Sequence, residues 1–469
     1  MSFPFGNILG RRGVLDTEGL RLIGLSDDNR PILAPKGHSL TLSAAGGGKT
    51  TRGAIPWIYS LLSTVHEASI LALDAKSGEV AVQLVPMLAK MGVKVAVIDD
   101  MNVRPELAQW RVSLNPFGAA VATYRREPLD LSLVVETIVH ALIENPPGGP
   151  DQNQHFRDMP QDLDEFAFNV LVRRDADTAT PGAVSALLSD PDMLLALAQI
   201  EADEGDEAIQ AMARDILHMS KTDNWGQHLG SARRSLKLFS PGNRLNKVGR
   251  DATMTHADLI RDGYFIVLVG PQANINRLGV YYALHILAFC DALYNGAGAL
   301  RAVCDEFTNT PLKSLVESLT TLRAYGAEIH MIAQSRSEII RRFGEQETHT
   351  IEENSVVKQW LGFSSIEEAK RISDAIGEQH ALSTTLSGSG APQENLSLIK
   401  QKWLSAAELM AMPREEQLVW IKGIGFFTCR TIAQNQIGPF ASLIAPNPLE
   451  GGTLPADSIL TLKTPEARI

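Results

Sequence analysis

The chain has 469 residues, 44% hydrophobic and 21% charged, ordinary values for a soluble globular protein with a large core and room for two or three domains. A net charge of -11 and a pI of about 5.5 exclude a surface that is basic overall, so any contact with nucleic acid must come from a local patch. Cys290, Cys304 and Cys429 are far apart, have no metal-ligand spacing, and read as buried thiols in a reducing compartment.

At the N-terminus, "MSFPFGNILGRRG" places its arginines after a short apolar run, which is not the pattern of a secretory signal. "LRLIGLSDDNRPILAP" predicts two short strands around a turn at Asp27, Asp28 and Asn29. "HSLTL" is a strand that runs into "SAAGGGKT". "SILALDAK" and "KVAVIDD" are strands around a helical pattern, "GEVAVQLVPMLAKMG", a parallel βαβ arrangement. From about residue 125 to 240 the periodicity is helical, as in "LSLVVETIVHALIE" and "FRDMPQDLDEFAFNVLV", with "ENPPGGPDQNQ" as a loop. Strands return with "YFIVLVG", "LRAVCDEF" and "EIHMIAQS", separated by helices, so the two α/β parts are expected to share one sheet. "YYALHILAFCDALYNGAGAL" is interrupted by His285, Asp291 and Asn295 and reads as a buried helix rather than a membrane span. "STTLSGSGAPQEN" is expected to be a flexible excursion, and the tail after about 440 to be loosely structured.

Residues 43–50, Ser43-Ala44-Ala45-Gly46-Gly47-Gly48-Lys49-Thr50, fit the phosphate-loop pattern G-x-x-x-x-G-K-[ST] at all positions but the first. Glycines let successive backbone N–H groups turn toward phosphates with no side chain between. In this reading ATP lies on the loop through Thr51, Lys49 reaches the β- and γ-phosphates, Thr50 holds Mg2+, and the following helix directs its positive end at the anion. Ser43 departs from the pattern, at a strain cost if that turn needs positive φ. "RAVCDEF" ends a strand on Asp305-Glu306: Asp305 is expected in the Mg2+ shell and Glu306 as the base for the attacking water. A solvated strand-end turn is the structural alternative for that pair.

These motifs, in order with "LALDAKSGE", "SLNPF", "LRAYGAEIHMIAQSRSEIIRRFG" and "VVKQWLGFSSIEEAKRISDAIG", resemble the type IV coupling proteins of the TraG/TraD-like conjugative transfer group, over roughly residues 36–440. The resemblance implies an α/β fold: a RecA-like P-loop ATPase domain with a mainly parallel sheet and an inserted all-α domain. It divides the chain into an N-terminal β-hairpin (1–35), a nucleotide-binding domain in two parts (36–125 and 251–440), the helical insertion (126–250) and a tail (441–469). It implies a homohexamer, ATP and Mg2+, and a DNA, nucleoprotein (relaxosome, relaxase) or protein substrate passed to type IV secretion channel components. Gln334 falls where the family has a γ-phosphate sensor, and Arg323 where a family arginine reaches the neighbouring subunit's site. Asp74 and Lys76 match a signature beside the nucleotide pocket, with no role assigned. Family members usually begin with transmembrane helices, and none is expected here. The chain is therefore expected in the cytoplasm, either recruited to the inner membrane by an anchoring partner or working away from it. A basic stretch at 226–250 (Arg233, Arg234, Lys237, Arg244, Lys247, Arg250) is a candidate phosphate-contacting patch or a solvated helix end. Two alternatives remain open: a nucleotide-gated recruitment platform, and another hexameric DNA translocase.

Overall fold

Alternate residues of the strands at 69–74 and 265–269 enter different apolar clusters, which explains why these strands read as continuous apolar runs: both faces of the sheet are covered there. Leu71 and Leu73 pack into one cluster while Ile70 and Ala72 pack into the other, and Ile266 and Leu268 oppose Phe265 and Val267 in the same way. A computed structural model of the chain describes residues 14–44, 46–143, 154–309, 313–387, 393–449 and 457–465.

In chain order the strands are β1 (Arg21–Leu25), β2 (Pro31–Ala34), β3 (Ser39–Leu42), β4 (Ser69–Asp74), β5 (Val95–Ile98), β6 (Phe265–Val269), β7 (Leu300–Cys304), β8 (Ala327–Ala333), β9 (Val357–Trp360), β10 (Glu378–Ser387), β11 (Gln393–Lys402), β12 (Glu416–Ile421) and β13 (Gly425–Arg430). Eleven strands form one sheet in the order β2-β1-β13-β12-β9-β3-β8-β7-β4-β6-β5. Pairing is parallel from β9 through β5 and antiparallel through β12, β13, β1 and β2. The two α/β parts therefore do share a sheet. Two details differ from expectation. β4 and β5 are not neighbours, because β6, almost 200 residues later, is inserted between them. The N-terminal hairpin is no appendage: β1 pairs with β13, so the hairpin forms the antiparallel edge of the sheet.

Helices α1 (Ile55–Leu61) and α2 (Glu79–Lys90) follow β3 and β4. Between β5 and β6 the described residues form helices and turns: α3 (Gly118–Arg126), α4 (Leu131–Leu142), α5 (His155–Arg174), α6 (Pro181–Ser189), α7 (Pro191–Glu204), α8 (Glu207–Met219), α9 (Trp225–Ser235) and α10 (His256–Arg261). Their apolar faces (Leu163, Phe166, Val170, Leu194, Ile216) merge with one side of the sheet through α11 (Gly279–Tyr294) in a single cluster. α11 is buried along most of its length, as expected. No single helix among the described residues is long and apolar enough to cross a membrane. Cys304 and Cys429 are buried; Cys290 is only partly so, and all three are free thiols.

The expected flexible excursion is instead a two-stranded antiparallel ribbon of β10 and β11, in register from Glu378–Lys402 to Ser387–Gln393. Its tip, 388–392, lies outside the described residues, as do the loop at 144–153 and residues 1–13. The tail is also more ordered than its Pro and Gly content suggested. Phe440 is buried and stacks on Tyr59 of α1 at 4.2 Å, and Ile437–Gly438 pairs with Leu460–Thr461. Composition missed this because a single large ring in an apolar slot is enough to anchor such a segment.

Candidate nucleotide site

Parallel strands deliver their carboxyl ends to one edge, and that edge is where an α/β sheet builds sites. Four of these ends carry the singled-out residues: β3 leads to residues 43–51, β4 to Asp74 and Lys76, β7 to Asp305 and Glu306, and β8 to Gln334. β8 separates β3 from β7, so the loop must reach across one strand to meet the acidic pair.

It does so. Thr50 Oγ1 donates to Asp305 Oδ2 at 2.9 Å, and Lys49 Nζ ion-pairs with Glu306 Oε1. Those lysine and glutamate side chains are only 12% and 9% exposed, so water screens the pair poorly. Lys76 joins the group: its ammonium donates to Asp305 Oδ2 at 3.0 Å and Thr50 Oγ1 at 3.3 Å, and lies 3.6 Å from Glu306 Oε1. Burial opposes the Lys76 charge, but Asp305 and Glu306 outweigh it and raise its pKa. The solvated-turn alternative for Asp305-Glu306 is thereby excluded, since both residues are buried and paired to cations.

The loop turns through left-handed backbone at Gly46 (φ 74) and Gly48 (φ 85), where a side chain would be strained. At Gly47 an added Cβ would lie 2.5 Å from the Leu361 carbonyl oxygen and 2.7 Å from Ser43 Oγ. Ser43 itself is buried, takes no positive φ, receives no strain from its Cβ, and donates from Oγ to the Ala44 carbonyl at 3.3 Å. Its departure from glycine therefore costs nothing in the backbone. Ala44 accepts the Gly47 N–H at 2.9 Å; Ala45 lies outside the described residues. Lys49–Ala54, which includes Thr51, forms a wide π-type turn continuous with α1. No side chain caps its start, which leaves backbone N–H groups for an anion.

Glu306 (φ 58) and Ser77 (φ 58) are non-glycine residues in left-handed backbone, a local cost of about 1 kcal/mol or more each that clusters at functional sites. Asp74 does not touch the acidic pair. It accepts the Ala81 N–H at 2.8 Å at the start of α2, and burial pushes its carboxyl up to about 6. Glu79, on α2, is tied to the tail by Asn447, which donates at 2.6 Å. Sequence reasoning gave no part to Lys76, although its position just past a strand end in "LALDAKSGE" was a usable signal.

Gln334 stands at the carboxyl end of β8, between loop and acidic pair; its side chain is exposed, and its backbone N–H donates to Glu338 Oε2 at 3.3 Å. Arg323 is exposed and lies at the opposite end of the sheet, just before β8, near Gly37 at the start of β3. The length of β3, about 13 Å, separates it from its own loop. In the basic stretch Arg233 and Arg244 donate to the Leu188 and Met101 carbonyls at 2.7 Å, while Arg234, Lys237, Lys247 and Arg250 are exposed.

The fold and this edge define a RecA-like P-loop protein. Comparison with solved structures supports the class: the conjugative coupling protein TrwB, lacking 70 N-terminal residues, superposes with a TM-score of 0.65 at 15% identity, over 89% of this chain and 91% of that one. TrwB in complex with ADP and Mg2+ gives 0.62 at 14%, over 84% and 85%. VirB4 of Thermoanaerobacter pseudethanolicus gives 0.53 at 14%, over 92% and 100%. No curated protein matches the chain. In sequence, residues 299–414 match the family described as the TraM recognition site of TraD and TraG, a segment that carries Asp305, Glu306, Arg323 and Gln334. The chain is thus similar to the TraG/TraD-like coupling proteins in fold along most of its length and in sequence over this segment.

Proposed function

We propose that the chain is an ATP-hydrolysing coupling protein, a motor that takes up DNA (relaxosome) or protein substrates and feeds them to a type IV secretion or conjugation channel. The observation that carries this reading is the meeting of Lys49 and Thr50 with Glu306 and Asp305 at one sheet edge, on a fold shared with TrwB. The family match at 299–414 supports a relaxosome protein as a partner. The working form is a homohexamer in the cytoplasm.

The donor set fits Mg2+, which takes one or two hard protein oxygens and fills its shell with water and phosphate; Thr50 Oγ1 and Asp305 Oδ2 supply such oxygens. Bound Mg2+ neutralises charge on the phosphates. Backbone N–H groups of Gly46 and of Gly48 to Thr51 cradle the anion, while Gly47 N–H stays on the Ala44 carbonyl, and Lys49 leaves Glu306 for the β- and γ-phosphate oxygens. That exchange frees Glu306 to take the proton of the attacking water. Gln334, between the two, donates its amide to a γ-phosphate oxygen. Arg323 serves the adjacent subunit, in keeping with its distance from its own loop.

The test is turnover of ATP by the purified chain with and without single- and double-stranded DNA, beside Lys49→Ala. DNA-stimulated turnover that Lys49→Ala abolishes is expected. Equal turnover in a folded Lys49→Ala protein would refute the nucleotide site; turnover indifferent to DNA would favour a recruitment platform.

A further inference from the structure

Lys76 makes contacts that the proposed function leaves without a purpose. Its ammonium holds Asp305 Oδ2 at 3.0 Å and Thr50 Oγ1 at 3.3 Å, with Glu306 Oε1 at 3.6 Å. Two of these three oxygens are the ones that would ligate Mg2+. An ammonium with three donors and a small divalent cation make the same demand, several convergent oxygens with negative charge. Both cannot be met at once: the cations would repel across a few ångströms in a site where the participating side chains are 16% exposed or less.

We propose that Lys76 is a built-in competitor of Mg2+, holding Thr50 and Asp305 together and yielding them only when the metal arrives with nucleotide. This rests on the ATP reading above. The backbone around Lys76 is pinned, so the exchange is a swing of the side chain. Ser77 N–H donates to the Gly270 carbonyl at 2.9 Å, Ser77 Oγ accepts the Gln272 N–H at 3.0 Å, and Arg104 Nε donates to the Ser77 carbonyl. Those contacts anchor the turn to the end of β6, the strand next to β4. The lysine stem is long and flexible enough to leave the oxygens without moving that turn. Competition makes the site selective: a nucleotide without its metal does not dislodge the lysine, so hydrolysis-competent geometry forms only around the Mg2+ complex.

The experiment uses the full chain, wild type, Lys76→Met and Lys76→Arg, with a fluorescent ADP analogue as probe so that no turnover intervenes. At fixed nucleotide, the Mg2+ concentration giving half-maximal binding is expected to fall roughly tenfold in Lys76→Met, the effect of removing one poorly screened charge, and to stay near wild type in Lys76→Arg. Without nucleotide, Mg2+ alone is expected to raise the unfolding temperature of Lys76→Met more than that of wild type. Lys76→Gln gives the same readings should methionine not fold. An unchanged or higher Mg2+ midpoint with normal nucleotide binding overturns the competitor. So does weak nucleotide binding at saturating Mg2+ with an unmoved midpoint, which would make Lys76 a phosphate ligand. If no variant and no wild type binds nucleotide, yet Mg2+ selectively stabilises Lys76→Met, the competition stands and the ATP reading falls.

Discussion

Replacing Glu306 by glutamine separates binding from chemistry, and the geometry sets the direction of both effects. The substitution keeps the shape of the side chain and leaves the strain at φ 58 unchanged. It removes the charge that holds Lys49 in a pair only about a tenth exposed on either side. A hydrogen bond to a charged group is worth about 1.5–3 kcal/mol, and a neutral amide oxygen retains part of that. Lys49 is therefore released to phosphate at a saving of about 1 kcal/mol, and Glu306→Gln is expected to bind ATP roughly fivefold more tightly than wild type. The amide cannot take the proton of water, and losing a general base slows the chemical step by about 10²–10⁴-fold. Titration with a fluorescent ATP analogue reads the first number; single-turnover hydrolysis of pre-bound ATP reads the second. Binding weakened to the level of Lys49→Ala, or an unchanged single-turnover rate, would refute this account of the pair.

Other perturbations test other parts of the structure. Gly47→Ala drives a methyl group against Ser43 Oγ and the Leu361 carbonyl, and the carbonyl is backbone that cannot turn aside; the loop must shift, and nucleotide affinity should fall about tenfold or more while the far-ultraviolet spectrum is kept. Arg323→Ala and Lys49→Ala are each expected to be inactive, and mixing them should restore part of the ATPase, because some interfaces then join an intact loop to an intact arginine; rings that exchange subunits without recovery exclude a role in trans. Burial holds the His256 imidazole down to about 3, and it stays neutral against His285 Nδ1 at 2.9 Å. Because the folded pKa lies below the unfolded value of about 6.5, this contribution is complete above that value and is lost as pH falls toward 3, by about 1 kcal/mol per unit. The stability of His256→Leu relative to wild type, from urea unfolding, should therefore improve by that slope between pH 6.5 and 5; a pH-independent difference would show that His256 charges freely in the native state.

The parallel strands and both halves of the candidate site were legible in the order of the amino acids. Strands covered on both faces must be apolar without interruption, as "SILALD" and "FIVLV" are, and a phosphate loop needs small residues at fixed spacing. These are local constraints, written into neighbouring residues. Whatever depended on which strand lies beside which was decided by the tertiary structure alone. β6 is inserted between β4 and β5, and the N-terminal hairpin closes on β13, some 400 residues away, because edge and centre strands differ in their partners and not in their own pattern. β10 and β11 read as flexible because Ser, Gly and Thr satisfy turn chemistry equally well, while the ladder between them is a pairwise property. Lys76 is the sharpest case. Its neighbours in the chain explain only that it follows a strand; its closeness to Thr50 and Asp305 exists because β4 lies beside β7, and β7 lies one strand from β3. A charge acquires its function from the charges folding brings within a few ångströms, and that distance is set by the order of the strands.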